Sequence, residues 1–138
     1  MSRLHDQGEA NIGNVYLRNQ AQNTNLFLGL YTNGTQPIQA DTMVQVTEVS
    51  GGGYARITLP PADWVQVGGQ TGEGGTRFDQ PQRIFTFTGS VGNVTGYFIT
   101  TVVTGTAGLL VTTEHYPAVV NVNQTGFEIR VTPRIEFR

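Results

Sequence analysis

The stretch Thr95-Gly96-Tyr97-Phe98-Ile99-Thr100-Thr101-Val102-Val103 decides the fold class. It is rich in β-branched and aromatic residues, which fit the pleated, half-buried surface of a strand. Upstream of it, Ile84-Phe85-Thr86-Phe87-Thr88 alternates strictly between apolar and polar residues, as a strand with one buried face does. Residues 89–93 lie between the two stretches, contain glycine and asparagine, and predict a turn. The centre of the chain is therefore predicted to be β structure.

Further strands are predicted on both sides of this centre. In chain order they are residues 26–31, 43–49, 54–59, 109–116, 127–131 and 135–137. Pro60-Pro61 ends the third of these, residues 62–81 predict a glycine-rich loop with one short strand near Trp64–Val67, and residues 117–124 predict a connection. About eight short strands with no long helical segment between them predict an all-β fold, either an antiparallel β-sandwich or a jelly-roll-like barrel.

The first 25 residues differ from the rest and predict a short helix or arm. Asp6-Gln7-Gly8-Glu9 has the spacing of a capping box with Asp6 at the cap, and apolar residues follow at helical spacing up to Tyr16. A helix this short is marginal alone, so it must dock on its own sheet or on a neighbouring molecule. We expect residues 1–25 to form this arm and residues 26–138 to form a single β-sandwich domain.

Composition excludes several classes of protein. The 138 residues carry a net charge of -2, only 13% of them are charged, and none is cysteine. We therefore expect neither a disulfide scaffold nor a cysteine-ligated zinc site. There is no basic patch for nucleic acid, no polybasic patch for a membrane, and no apolar run long enough to span a bilayer. All eight cations are arginine. This reflects either chance in a low-charge chain or the avoidance of lysine on surfaces that pack against other chains.

No set of residues predicts catalysis. A Ser-His-Asp hydrolase needs a serine on a sharp, supported turn, but Ser50 precedes a run of three glycines that is typical of a hairpin or bulge. His5 lies in the predicted arm and His115 at a strand end. Carboxylates in the loop over 62–81 are more typical of turns than of a glycosidase pair. We expect no enzyme activity, no catalytic residue, no metal and no cofactor.

Trp64 differs from most of the aromatic residues, which fall on the predicted strands and are expected in the core. It follows Pro60-Pro61-Ala62-Asp63 and precedes a loop, so its ring is a candidate contact. An aromatic side chain in such a position stacks on a sugar ring or fills a pocket of a partner protein. Packing over the edge of its own sheet is the alternative.

Several stretches together resemble one known family. Val15-Tyr16-Leu17-Arg18-Asn19, Leu26–Asn33 and above all Ser50-Gly51-Gly52-Gly53-Tyr54-Ala55-Arg56 are similar to small virion proteins of tailed bacteriophages. Gly108-Leu109-Leu110 and the closing residues 127–137 resemble later strands of the same family. The resemblance covers most of the chain outside residues 68–80. Members are capsid decoration (cement) proteins or tail-associated proteins.

The resemblance implies a virion structural protein assembled in the host cytoplasm. We expect a capsid decoration protein that binds the major capsid protein, forms a homotrimer, and has neither nucleic acid nor membrane as a partner. A tail-associated protein, such as a fibre-base or adaptor-type module, is one alternative. A carbohydrate-binding β-sandwich that uses Trp64 and Tyr116 is another. The residues expected to contact a partner are Tyr16, Arg18, Trp64, Arg77 and Phe78.

Overall fold

The protein is described by a computed structural model over residues 2–22, 25–67 and 75–137. The elements in these ranges are, in chain order, β1 (Ser2–Leu4), α1 (Asp6–Leu17), β2 (Leu26–Tyr31), β3 (Ile57–Leu59), β4 (Val65–Val67), β5 (Thr76–Asp79), β6 (Arg83–Thr86), β7 (Gly92–Thr100), β8 (Leu110–Val122), β9 (Glu128–Val131) and β10 (Arg134–Phe137). Single 3-10 turns occur at Met43–Gln45 and Pro61–Asp63. The predicted all-β fold with one short N-terminal helix is confirmed. No helix of the described ranges has the length and apolarity that crossing a membrane requires.

Three antiparallel sheets surround the main core. The largest has five strands in the order β1-β8-β7-β2-β3, and the smaller ones are β10-β5-β4 and β6-β9. Buried residues of all three sheets, such as Leu30, Phe85 and Ile135, belong to one apolar cluster. The five-stranded sheet therefore forms one layer of a sandwich, and the two smaller sheets form the other.

Glycine residues in the central strands β2 and β7 make room for aromatic side chains of the neighbouring strand. Gly29 is paired with Phe98, and a Cβ atom on Gly29 would lie 2.3 Å from the Phe98 ring. On the neighbouring pair, a Cβ on Gly96 would lie 2.5 Å from the ring of Tyr31. Each glycine thus leaves room for an aromatic ring to lie across the sheet. These two rings belong to a second apolar cluster, on the face of the sheet away from the main core.

The second cluster explains why the strand predicted over residues 43–49 is wrong. Thr42 and Gln45 form a capping box that closes a 3-10 turn, and Glu48 makes only an isolated bridge to Tyr31. The turn buries Met43 and Val46 in the second cluster. Apolar residues three apart on one turn of helix share a face, so the short apolar segment is consistent with a turn as well as a strand.

Two further segments were predicted as connections but contain strands. In the loop predicted over 62–81, the short strand predicted near Trp64–Val67 is confirmed as β4. The rest of the prediction is wrong at β5, which is held between β4 and the distant β10; residues 68–74 of that predicted loop lie outside the described residues. The connection predicted over 117–124 is wrong up to Val122, where β8 ends. Residues 116–119 bulge between the pairs His115–Gly96 and Val120–Val94. Pro117 lies within this bulge, where the pairing with β7 does not require a backbone N–H donor.

The N-terminal segment docks on its own sheet. β1 pairs with residues 112–114 of β8, and α1 follows after a single residue. Asp6 is the first residue of the helix rather than its cap, a correction of one position to the sequence prediction. The residue at the cap is His5, which makes no side-chain capping bond because its ring is used elsewhere.

His5 is fully buried between β8 and the segment that follows β2. Its Nδ1–H donates to the carbonyl of Gln39 at 3.2 Å, and its Nε2 accepts from the Thr113 hydroxyl at 2.9 Å. This arrangement suits the neutral ring. Burial lowers the pKa of His5 from its usual 6.5; the charge of Arg3 also lowers it, whereas the Gln39 hydrogen bond and Asp41 act in the opposite direction.

We predict that stability falls in mild acid because of His5. Above about pH 6.5 the ring is neutral in both states and imposes no penalty; as the pH falls below this value, the unfolded chain takes up a proton that the folded chain resists. The free energy of unfolding should therefore decrease until the lowered folded-state pKa is reached. Urea unfolding of the wild type and of His5→Gln at about pH 8 and about pH 5 checks this. An equal acid-induced loss in the two chains would contradict it.

The glycine-rich motif 50–56 forms a turn that brings its polar residues together. Gly51, Gly52 and Gly53 all have positive φ, at 79°, 56° and 73°, a conformation that is easily reached only by glycine. The turn places Arg56 beside Glu48, with Nε–Oε2 and Nη2–Oε1 distances of 2.7 and 2.9 Å. The motif therefore produces a bidentate ion pair.

Arg56 also anchors the connection between β7 and β8. Its side chain is only 3% exposed, donates to the carbonyls of Val102 and Gly105, and lies 5.2 Å from the centre of the Phe98 ring. The Tyr54 hydroxyl donates to Glu48 at 2.8 Å and accepts from the backbone N–H of Leu30. The Arg56 guanidinium thus joins the motif turn to Glu48 and to the 101–109 connection, and Tyr54 links the same carboxylate to β2.

We predict that Arg56→Ala is strongly destabilising, by on the order of 3 kcal/mol, because it leaves Glu48 and two carbonyls without their cation. Arg130→Ala is the matched control: Arg130 forms an ion pair with Glu128, but both side chains are about half exposed, so the loss should stay below about 1 kcal/mol. Urea unfolding midpoints measure both. Equal losses in the two variants would refute the structural role of the motif.

Candidate functional site

The structure brings together three of the five residues predicted to contact a partner. Tyr16 lies near the end of α1 and is 84% exposed. Trp64 follows the Pro61–Asp63 turn, and Phe78 lies on β5. Tyr16 and Trp64 line one cavity, and Trp64 and Phe78 line the cavity beside it. We call these two adjoining cavities the Trp64 cleft.

Arg18 and Arg77 do not line the Trp64 cleft. Arg18 is the C-terminal cap of α1, and its side chain donates to Asn14 at 3.3 Å. Arg77 neighbours Phe78 on β5, so its side chain is on the opposite face of the strand. Its Nε lies 3.2 Å from Oδ1 of Asp79, which also accepts from Arg134. Arg77 is therefore part of an ion-pair cluster on β5 and β10.

Close backbone contact sets the position of the helix that forms one wall of the cleft. A Cβ on Gly8 would lie 2.6 Å from the carbonyl oxygen of Val111, so only glycine lets α1 approach β8 this closely. Gln7 accepts a hydrogen bond from the backbone N–H of Leu110 at 2.9 Å. The His5 backbone N–H donates to Val111 at the same distance. These contacts hold α1 against the start of β8.

A braced turn sets the position of Trp64 on the other wall. Gln80 donates to the carbonyl of Pro60 at 2.9 Å, and Arg83 donates to both Gln80 and Asp63, at 2.7 and 2.8 Å. The turn between Pro60 and Asp63 is thereby tied to the start of β6. Trp64 follows this turn and packs against the main core. The alternative considered from the sequence was that Trp64 packs over its own sheet. This is the case for part of the Trp64 side chain.

The side chains that line the Trp64 cleft are mostly apolar, and the polar ones among them include the amides of asparagine and glutamine. Its cavities have volumes of about 300 and 250 Å³. Both are lined by Asn11, Ile12, Gln22, Leu26 and Trp64. Among the described residues, no charged side chain lines either cavity. A larger space of about 530 Å³ lies between β1, α1 and β10 and contains Arg3, Glu9 and Glu136, but none of the five predicted contact residues.

A second surface was not predicted as a whole from the sequence. One of its residues, Tyr116, was named as a stacking residue together with Trp64, but the structure places these two residues on separate surfaces. A groove of about 510 Å³ runs between β8 and β9 and is lined by Tyr116, Pro117, Ala118, Val120, Phe127, Glu128, Ile129 and Arg130. β1 pairs with β8 only at residues 112–114, and β9 pairs with β6 alone. Within the described chain, the outer edges of both strands are therefore open along this lateral groove. Pro117 obscured it, because proline in a strand predicts a strand end.

Ionisable side chains outside these surfaces form structural pairs. Tyr97 donates to Glu114 at 2.6 Å, and burial together with this carboxylate raises the pKa of Tyr97 above its usual range. His115 lies 3.2 Å from the Tyr31 hydroxyl and packs against that ring. In the part of the chain that the structure describes, no cluster of three or more histidine, aspartate or glutamate residues is suited to a metal ion.

Comparison with known families relates this fold to phage particles. The family described as Podophage GP4 fiber I protein gp80 matches residues 3–130. The chain belongs to this family. The match includes all of α1, the motif turn, Trp64 and the residues of the lateral groove. A search of curated proteins finds no match.

The protein is therefore a member of a tailed-phage virion protein family. The resemblance seen in the sequence is confirmed at this level. The role of residues 50–56 as the signature of the family stays a prediction. The five contact residues likewise stay predictions, with Tyr16, Trp64 and Phe78 now placed on one surface.

We predict opposite effects of alanine at two glycines of α1. Gly8→Ala should destabilise the fold by about 1–3 kcal/mol, because the new methyl group overlaps the backbone of β8. Gly13→Ala meets nothing within 4 Å and should stabilise the helix by up to about 1 kcal/mol. Thermal unfolding monitored by circular dichroism compares the two. Stabilisation by Gly8→Ala would show that α1 does not depend on close contact with β8.

Proposed function

We propose that the chain is a non-enzymatic structural subunit of the phage tail, of the fibre type. The observation that carries this proposal is the match of residues 3–130 to a family named for a fiber protein. That name favours the tail-associated alternative over the capsid decoration role expected from the resemblance. In either role the chain acts by binding neighbouring molecules rather than by transforming one.

The use of its charges supports a structural role. Arg56 with Glu48, and Arg83 with Asp63, tie separate segments of the chain together. Asp79 joins β5 to β10 through Arg134. A catalytic acid or base has to be free to exchange a proton with a substrate, whereas these groups are held by their partners. Their contribution is to make the fold rigid, which suits a structural subunit.

The two surfaces lie towards opposite ends of β8. Val111, near the start of the strand, lines the Trp64 cleft, whereas the lateral groove is lined by Tyr116, Pro117, Ala118 and Val120. At a rise of about 3.3 Å per residue, they are separated by roughly 15–30 Å along the strand. A subunit with two separate surfaces can hold a neighbour with one and present the other. We assign the attachment role to the lateral groove.

Open strand edges are the physical reason for this assignment. An uncovered edge with apolar side chains invites pairing with another chain, and proteins that function in assemblies cover such edges with a partner. Val119 on this segment is 56% exposed, and Pro117 and Ala118 beside it are also exposed. Closed association of copies, with three as the expected number, would cover the edge without open-ended growth. A neighbouring virion protein would cover it equally.

We predict that labelled copies of the chain are located at the tail of the intact particle. Particles carrying an epitope-tagged copy, labelled with gold-conjugated antibody and imaged by electron microscopy, should show gold at the tail. The family name supports this expectation. Gold distributed over the head would instead support capsid decoration and contradict the proposal.

Two exposed valines provide a matched control for the attachment surface. Val119→Arg places a charge on the open edge and should reduce incorporation into particles about ten-fold or more, because an unpaired charge in an interface is costly. Val103→Arg makes the same change at a site of similar exposure, 54%, on the connection between β7 and β8. It should leave incorporation unchanged. Equal incorporation of both variants would remove the open edge of β8 beside the lateral groove as the attachment surface.

A further inference from the structure

The Trp64 cleft contains amide side chains without partners in the described part of the chain. Asn11, Gln22 and Asn25 line it, and none of their side chains is hydrogen-bonded to another described residue. Each amide presents both donors and acceptors. Three such groups around one cavity can bind a ligand that itself has several hydroxyl groups.

Aromatic rings also line the Trp64 cleft and can stack on a ligand. Trp64 lines both cavities while packing against the core, so its ring has a fixed position. Tyr16 lines the first cavity, and Phe78 the second, where Phe137 packs against it edge-on at 5.9 Å between ring centres. Rigid rings bind flat, partly apolar ligands with little loss of side-chain entropy.

The absence of charge narrows the class of ligand. No charged side chain lines the cleft within the described residues. Phosphates and acidic ligands are bound by arginine, lysine or helix N-termini, and charged peptides by opposite charges. The cleft lacks those side chains. Its ligand is therefore expected to be uncharged, with an apolar face for the rings and hydroxyl groups for the amides.

We propose that the Trp64 cleft binds a neutral saccharide. A pyranose ring has a face of C–H groups that stacks on tryptophan, and its hydroxyls pair with the amides of Asn11, Gln22 and Asn25. A combined volume of roughly 550 Å³ lies within the range of small-molecule sites. This inference goes beyond the proposed function, because saccharide binding belongs to the isolated chain wherever that chain sits in the particle.

The chain carries its own reporter for this site, since Trp64 is its only tryptophan. The purified full-length chain is titrated with maltotetraose, cellotetraose and chitotetraose, and screened on an array of bacterial surface polysaccharides. Binding of at least one of these probes should change the emission of Trp64 in a saturable way. No emission change up to millimolar concentrations and no array signal would overturn the proposal.

Variants then separate the cleft from other surfaces, with calorimetry as the readout. Trp64→Ala should weaken binding about ten-fold or more and Trp64→Phe less, since phenylalanine keeps a smaller stacking face. Gln22 is exposed, so Gln22→Ala should leave the fold intact and weaken binding about three- to ten-fold through one lost hydrogen bond. Gln124→Ala, an exposed glutamine in the turn after β8, is the matched control and should bind like the wild type.

Two outcomes would contradict the saccharide assignment even if the cleft is occupied. Unchanged saccharide affinity in both Trp64→Ala and Gln22→Ala would place binding elsewhere. A Trp64 emission shift that follows protein concentration without saccharide, together with a dimer in sedimentation that Trp64→Ala abolishes, would show that a second copy fills the cleft instead.

Discussion

The burial of β7 on both of its faces is the constraint on which the other elements depend. Residues 94–100 are all buried, which a strand with one face in solvent cannot be. One face is covered by the two smaller sheets through the main core. The other is covered by the segment after β2, whose 3-10 turn brings Met43 and Val46 onto Tyr31 and Phe98. A chain of this length covers both faces only by wrapping irregular segments around the sheet.

The Trp64 cleft results from the way in which the N-terminal segment packs on the five-stranded sheet. β1 occupies the edge of the five-stranded sheet beside β8, and α1 then turns across the end of the sandwich with Gly8 against Val111. Trp64 arrives at the same end from the opposite side, because the turn before it is tied to Gln80 and Arg83. Two elements that are each held by the core therefore leave a space between them. The close contact of Gly8 with Val111 and the hydrogen-bonded turn before Trp64 fix the positions of its two walls, which favours recognition of a defined ligand.

Local patterns predicted the β class and the short helix, since both depend on residues close in sequence. The strands at the centre and β9 with its alternating Ile129 and Val131 follow this rule. β1 and β5 were missed, because three or four residues form a strand only when a distant partner is present.

For the site, sequence reasoning selected Tyr16, Trp64 and Phe78 but had no means of placing them together. Arg77 was selected as well, although its charge is used by Asp79. The amides of Asn11, Gln22 and Asn25 carried no signal, since asparagine and glutamine are common in turns throughout this chain.

The motif turn and the Trp64 cleft differ in their use of charge: the turn holds a largely buried ion pair, whereas no charged side chain among the described residues lines the cleft. With eight arginines, no lysine and ten acidic residues, the chain has few cations, and it uses Arg56, Arg83 and Arg134 to join its own segments. Ion pairs of this kind need desolvation and good geometry to stabilise a fold, and the bidentate contact of Arg56 with Glu48 meets that requirement. Little charge is left for attracting partners over long distances. We therefore infer that recognition rests on contacts of short range, namely the stacking faces and amides of the Trp64 cleft and the open backbone edge of the lateral groove. Such contacts depend little on salt.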